Sequence, residues 1–364
     1  MRRTTSVFAL LILFLCLACL PVFALDTDTF GYQSLSGTEQ IAYEAMTDCI
    51  THLIPSWNCG SLGQEVIQKA YDCIMMDHPE YFWTDSYTYV TSYVNNSITG
   101  HRVEFTYSMD AAQIKRRNNE LTQALYAMVD DMSFPDTSQY TIVKTVFDYL
   151  VDNCTYDELN LDQSMYSVMI NRSGVCASFS KAFEFIIQCL GIPCTVVYGR
   201  LTQNEGVLST TLGHEWNIVC IDGKWYHVDV TSGLAVDASG ELERYRFLCT
   251  TTEEILKTHL IENPVPIPVC DSPDLEFFVM NDLTVETYSR EAVARVMLKA
   301  MDMGYMPVVR FASYRAFSEA VDDLFTNEGI FQAIRETTGL EVQTINYQID
   351  EERLLIRLDT PYRP

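Results

Sequence analysis

Two apolar, alternating runs, 214–221 and 224–230, meet at Asp222-Gly223. Asp-Gly between such runs is a two-residue hairpin signal, because both turn positions need positive φ and these residues tolerate it. The turn fixes antiparallel pairing and register together. Alternation then puts Trp225, His227 and Asp229 on one face and Tyr226, Val228 and Val230 on the other. Upstream, a helical pattern starts near Val175, carries Phe179, Ala182, Phe183 and Ile186 on one side, and ends at Gly191. A strand at 194–199 follows. A helix feeding an antiparallel sheet makes this region α+β.

The flanks read as two further regions. Residues 25–135 form an N-terminal α/β-hairpin region. Ser36-Gly37-Thr38-Glu39 is a capping box opening a helix through Ile41, Ala45, Cys49 and Leu53. A second helix, 66–74, is stopped by His78-Pro79. Runs 86–94 and 101–107 alternate around Asn95-Asn96-Ser97 and predict a hairpin, and 109–132 a further helix. The central region, 136–262, opens with a helix over 142–151 and passes a polar, turn-rich stretch at 157–173. Pro264, Pro266 and Pro268 predict a linker. Residues 270–364 read as a small α+β module with strands near 275–281, 305–311, 341–349 and 353–359.

Three residues of the central region could carry chemistry. Cys176 stands at a helix start, where unpaired N–H groups and the helix dipole favour thiolate. By position alone, a buried structural cysteine fits at least as well. His214, in Gly213-His214-Glu215-Trp216-Asn217, enters the first strand of the hairpin, and imidazole titrates in the range that a thiol's partner needs. Asp229 lies across the turn and can hold an imidazole in one tautomer, although it also reads as a strand-end aspartate capping a turn. His227 shares its face and competes with His214 as the base. Cysteine, histidine and aspartate in that order, on a helix start and two neighbouring strands, make a generalised thiol triad. Trp216, beside the histidine, is the candidate substrate contact.

The run 141–259 resembles the transglutaminase-like superfamily, particularly its bacterial exported members. The matching pieces include Arg172-Ser173-Gly174-Val175-Cys176, Gly191-Ile192-Pro193-Cys194, His214-Glu215-Trp216-Asn217 and Gly223-Lys224-Trp225-Tyr226-His227-Val228-Asp229-Val230-Thr231. Tyr156-Asp157 upstream and Tyr245-Arg246-Phe247-Leu248 with Thr258-His259 downstream extend the match. The resemblance implies a papain-like core, a cysteine-bearing helix packed on an antiparallel sheet. It implies Cys176 as nucleophile, His214 rather than His227 as general base and acid, and Asp229 as the orienting residue. The implied chemistry is a cysteine thioester formed on an amide or peptide carbonyl, leading to protein cross-linking, deamidation or peptide hydrolysis. The alternative is a catalytically silent binding module at the cell surface. Ser232-Gly233 after Thr231, and Phe179 three residues after the cysteine, depart from the family pattern and bear on substrate preference. The Cys176 backbone N–H is the expected oxyanion donor, and the sequence identifies no second one.

Arg2 and Arg3, the apolar stretch 7–20 and Val22-Phe23-Ala24 form a secretory signal peptide, residues 1–24, cleaved near Ala24. Lipid anchoring at Cys19 ranks below free secretion, because Cys16 stands where a lipoprotein signal usually has leucine. The expected location is therefore secreted or cell-surface, with no transmembrane segment in the mature chain. The formal net charge is −25. Such a surface repels phosphate backbones, which excludes nucleic acid and leaves protein or peptide substrates, cell-wall peptides among them. The cysteines show no CxxC pair, and no histidine pairs with one at ligand spacing, so neither a metal nor a cofactor is expected. Cys189, Cys194 and Cys220 read as buried thiols.

Overall fold

The computed structural model describes residues 29–203, 207–234, 243–339 and 341–359. The expected signal peptide and Cys19 lie outside the described residues. The chain divides into two compact units, Met1–Ala235 with Phe247–Ser272, and Val236–Arg246 with Pro273–Pro364. Residues 25–135 and 136–262, read from sequence as separate regions, therefore fall in one unit except for Val236–Arg246. The proline tract at 264–268 also stays with it.

In the first unit, helix α1 (Gly37–His52) is capped as its sequence predicts, Ser36 N–H donating to Glu39 Oε2 at 2.7 Å. Strand β1 (Ser56–Gly60) leads to α2 (Gln64–Asp77), which ends before Pro79. Strands β2 (Thr84–Val94) and β3 (Ser97–Tyr107) form the predicted hairpin, and the sheet runs β1–β3–β2. Ala42, Met46 and Ile50 of α1 and Ile67, Ala70 and Ile74 of α2 pack with Val103 and Phe105 of β3. Each such large side chain contributes about 1.5–3 kcal/mol over leaving it exposed. Val196 and Val265 from further along the chain join the same core, which is why the two regions make one unit.

Helices α3 (Ala111–Asp131) and α4 (Gln139–Asn153) lead into the core. The stretch 157–173 is not only turns: it holds α5 (Met165–Asn171), whose Met165, Val168 and Met169 are buried on one side. Its polar neighbours conceal this apolar spacing of three and four residues. Helix α6 (Cys176–Cys189) packs across β4 (Cys194–Gln203) and β5 (Val207–Ile221). The sheet continues through β6 (Lys224–Val228), β7 (Leu248–Thr250) and β8 (His259–Ile261) in the order β8–β4–β5–β6–β7, antiparallel throughout. The strand predicted over 224–230 stops at Val228. Val230–Leu234 is helical, because the Asp229 carboxylate accepts the Ser232 N–H and bends the chain there.

The second unit is α+β. Strands β9 (Thr284–Val285), β10 (Val308–Phe311), β11 (Tyr347–Asp350) and β12 (Leu355–Leu358) form a sheet in the order β9–β10–β12–β11. Helices α7 (Arg290–Asp302), α8 (Tyr314–Val321) and α9 (Gly329–Thr338) alternate with them. The strand expected near 275–281 is a helical turn, Phe277–Met280. It buries the adjacent Phe277 and Phe278 together, which strand alternation cannot do. Among the described residues no helix is long and apolar enough to cross a membrane.

Candidate active site

Cys176 is the first residue of α6, with Val175 extended before it. Gly174 is required here by space. A Cβ at that position would meet Ser178 Cβ at 2.7 Å and Val168 Cγ2 at 2.9 Å, so only glycine lets the helix start close against α5. A two-residue parallel bridge, Thr155–Tyr156 on Ser173–Gly174, ties the approach down. Burial pushes the Cys176 thiol up, but the hydrogen bond and charge of His214 and the Glu215 backbone N–H outweigh it, and the net direction is down.

His214 sits on β5 opposite Gly199 of β4. Its Nε2 lies 2.8 Å from Asp229 Oδ2, and the pair is almost wholly buried. With Nε2 engaged, Nδ1 is the ring nitrogen left to face Cys176. Burial disfavours its cation, yet the Asp229 charge and hydrogen bond, with Cys176 behind them, carry its pKa up to about 10. Burial likewise opposes the Asp229 anion, and His214 first and then His259 hold that carboxyl well below the usual range. The arrangement favours a thiolate beside an imidazolium.

Asp229 is 1% exposed and heavily supported. Its Oδ1 accepts from Thr231 Oγ1 at 2.7 Å and Ser232 N at 3.1 Å, and its Oδ2 also accepts from Ser232 Oγ. The serine that departs from the family pattern is thus a ligand of the carboxylate.

The structure brings Cys176, His214 and Asp229 together and turns His227 away. The His227 Nδ1 accepts from the Trp216 indole N–H at 3.1 Å, and its Nε2 lies 3.1 Å from Thr252 Oγ1. Burial, with the charge of His259 beside it, pushes its pKa down to about 3. Trp216 requires a correction. It is 1% exposed, with its ring parallel to His214 at 5.9 Å, so it underpins the histidine and has no free face for a substrate.

Two neighbours escaped the sequence reading. The Tyr156 hydroxyl stands beside Cys176; burial, then the negative charge at Cys176, raise its pKa. His259 Nε2 lies 3.2 Å from Asp229 Oδ2. Both belong to stretches, Tyr156-Asp157 and Thr258-His259, that matched the family without signalling a role. His214, Asp229 and His259 could offer a metal three donor atoms within 4.8 Å of one another, and these same atoms are engaged in hydrogen bonds. No two of the described cysteines are joined, and Cys220 is half-buried where burial was expected.

Residues 126–230 match the family described as the transglutaminase-like superfamily. No curated protein matches the chain significantly. Solved structures with partial similarity include a candidate cysteine protease from Cytophaga hutchinsonii, at 14% identity over 41% of this chain and 65% of that one, with a TM-score of 0.26. A TGase shows 16% identity over 41% and 45%, with a TM-score of 0.28. A candidate protease from Parabacteroides distasonis shows 9% identity over 39% and 35%, with a TM-score of 0.23. The chain thus spans less than two thirds of the length of each, and likenesses this slight carry no argument about chemistry.

Proposed function

From a core that belongs to the transglutaminase-like superfamily, we propose that the protein is an exported thiol enzyme acting on amide or peptide carbonyls. One observation carries the reading: the buried relay in which Asp229 holds His214 by Nε2 and His214 in turn faces the Cys176 sulfur at a helix start. In the reaction, the thiolate attacks the carbonyl carbon. The negative oxygen that develops would lie near the Cys176 N–H and the Tyr156 O–H, two donors beside the nucleophile. The C–N bond then breaks, His214 gives its proton to the departing amine or ammonia, and a thioester remains. An incoming amine or water loses a proton to His214 as it attacks the thioester, and Cys176 leaves as thiolate. An amine acceptor gives cross-linking; water gives deamidation or hydrolysis. The acidic composition and the leader expected at 1–24 support proteins or cell-wall peptides outside the cytoplasm as substrates.

The test is an amine donor offered with a glutamine-bearing peptide to wild type and Cys176→Ala. Incorporation that needs Cys176 identifies a transferase, and ammonia release or cleavage without incorporation a hydrolase. Absence of every Cys176-dependent product sinks the enzyme reading and leaves the binding module.

A further inference from the structure

Asp229 Oδ2 serves two imidazoles. His214 Nε2 approaches it at 2.8 Å and His259 Nε2 at 3.2 Å, with the two rings 5.4 Å apart. A carboxylate oxygen only accepts, so both Nε2 atoms must carry hydrogen. On the other side of the His259 ring, Nδ1 lies 2.9 Å from Thr258 Oγ1, whose hydroxyl can donate to it and so is compatible with this tautomer. The ring is fixed further by Trp216 at 4.9 Å and Phe247 at 5.0 Å, both edge-on, and is 2% exposed.

The fold makes an effort to bring this side chain in. His259 opens β8, the edge strand paired to β4 through His259↔Leu201 and Ile261↔Gly199. A Cβ on Gly199 would meet Leu260 O at 2.0 Å and Trp216 Cη2 at 2.7 Å. The residue opposite His214 in register is therefore a glycine because β8 and the indole close over it. Among the described residues, the titratable groups around His259 include Asp229, His214 and His227, the last kept neutral by burial.

We propose that His259 is a positioning residue that shares the Asp229 carboxylate with His214 and so limits the pull of that carboxylate on the catalytic imidazole. This rests on the triad reading above and deepens it. An aspartate oxygen that accepted from no imidazole but His214 would grip the imidazolium too firmly. His214 must also surrender its proton to the leaving group. A second N–H on the same oxygen draws off part of the negative charge, as hydrogen bonds to an anion do.

The pH dependence of Cys176 alkylation by iodoacetamide, followed by the mass of the Cys176 peptide, tests this. In wild type the rate should rise with a limb well below that of an ordinary thiol. His259→Leu removes the donor and should move that limb to lower pH by about one unit, the worth of one charge-assisted hydrogen bond of modest strength. His259→Gln, whose amide N–H can reach Asp229, should superimpose on wild type. Thr258→Val releases Nδ1 and should move the limb the same way by less. An unmoved limb in folded His259→Leu, or a His259→Gln profile displaced as far as His259→Leu, overturns the proposal. Where His259→Leu does not fold, Thr258→Val decides, and an unmoved limb there overturns it. A wild-type Cys176 that alkylates like an ordinary thiol defeats the triad reading itself, whereas a low wild-type limb with unmoved variants defeats only this inference.

Discussion

Two hairpins of the first unit obey one local rule and end in different circumstances. β2 and β3 turn through Asn95 and Asn96 at φ of 49° and 63°, and β5 and β6 through Asp222 and Gly223 at 50° and 82°. Both are turns with left-handed residues at the two central positions, the geometry that matches strand twist. The first carries Tyr93, Val94 and Ile98 out into solvent at its tip. The second is covered by α6 and flanked by β4 and β7, and its Ile218, Val219, Tyr226 and Val228 are buried. Each holds a histidine. His101 of β3 is half-buried and bonds a threonine hydroxyl, Thr91 Oγ1, at 3.1 Å. His214 of β5 is buried against a carboxylate and a thiol. The turn decides pairing; burial with charged partners decides chemistry.

The comparison is broken most directly at Asp229. Asp229→Asn keeps the shape and loses the charge, and turnover should fall about 10³-fold or more, as when a triad histidine is left in the wrong tautomer. The same variant tests a linkage. Because the folded His214 pKa is raised to about 10, its contribution to stability is full below its unfolded value and is lost as pH rises through 10. The lowered Asp229 pKa contributes above its unfolded value and is lost as pH falls through the folded one. Melting temperature should therefore decline on the alkaline side in wild type, and Asp229→Asn should flatten that decline. A parallel decline in both would show that the pair is not responsible.

Tyr156→Phe comes next in size. Loss of one oxyanion donor should lower turnover about 10²-fold while Cys176 alkylation continues, and unchanged turnover would remove Tyr156 from the reaction. Gly199→Ala sharpens the structural half of the comparison. The added methyl has nowhere to go, and chemical denaturation should show about 1–3 kcal/mol of destabilisation. The smallest effect belongs to the first hairpin. Ile98→Thr at its exposed tip should change stability by about 0.5 kcal/mol or less and leave activity alone. A large loss there would mean the tip has a partner.

Much of the core was legible because its signals are local. The capping box at Ser36, the stop at His78-Pro79, and the turns Asn95-Asn96 and Asp222-Gly223 act through neighbouring backbone groups, and the structure has each where its residues put it. Errors arose where distant packing overrode a local pattern. The continuous apolar run at 277–280 reads as a buried strand but is a helical turn, and α5 hides among polar residues. At the site, the order of cysteine, histidine and aspartate was readable along the chain. Trp216 was assigned to substrate because an aromatic next to a catalytic histidine looks available, and nothing local records that β8 closes over it.

By itself, then, the sequence determined the hairpin that returns the chain beside the His214 strand and places Asp229 just past its end, and the glycine-led helix start that carries Cys176. Both follow from backbone preferences over a few residues. The motif already preferred His214 to His227; only the tertiary structure decided that Tyr156 stands beside the thiol and that His259 shares Asp229. Those contacts join residues distant along the chain, the His214–Asp229 and His259–Asp229 bonds spanning 15 and 30 residues. Their energies depend on desolvation, which exists only once α6, β4 and β8 have closed around the carboxylate.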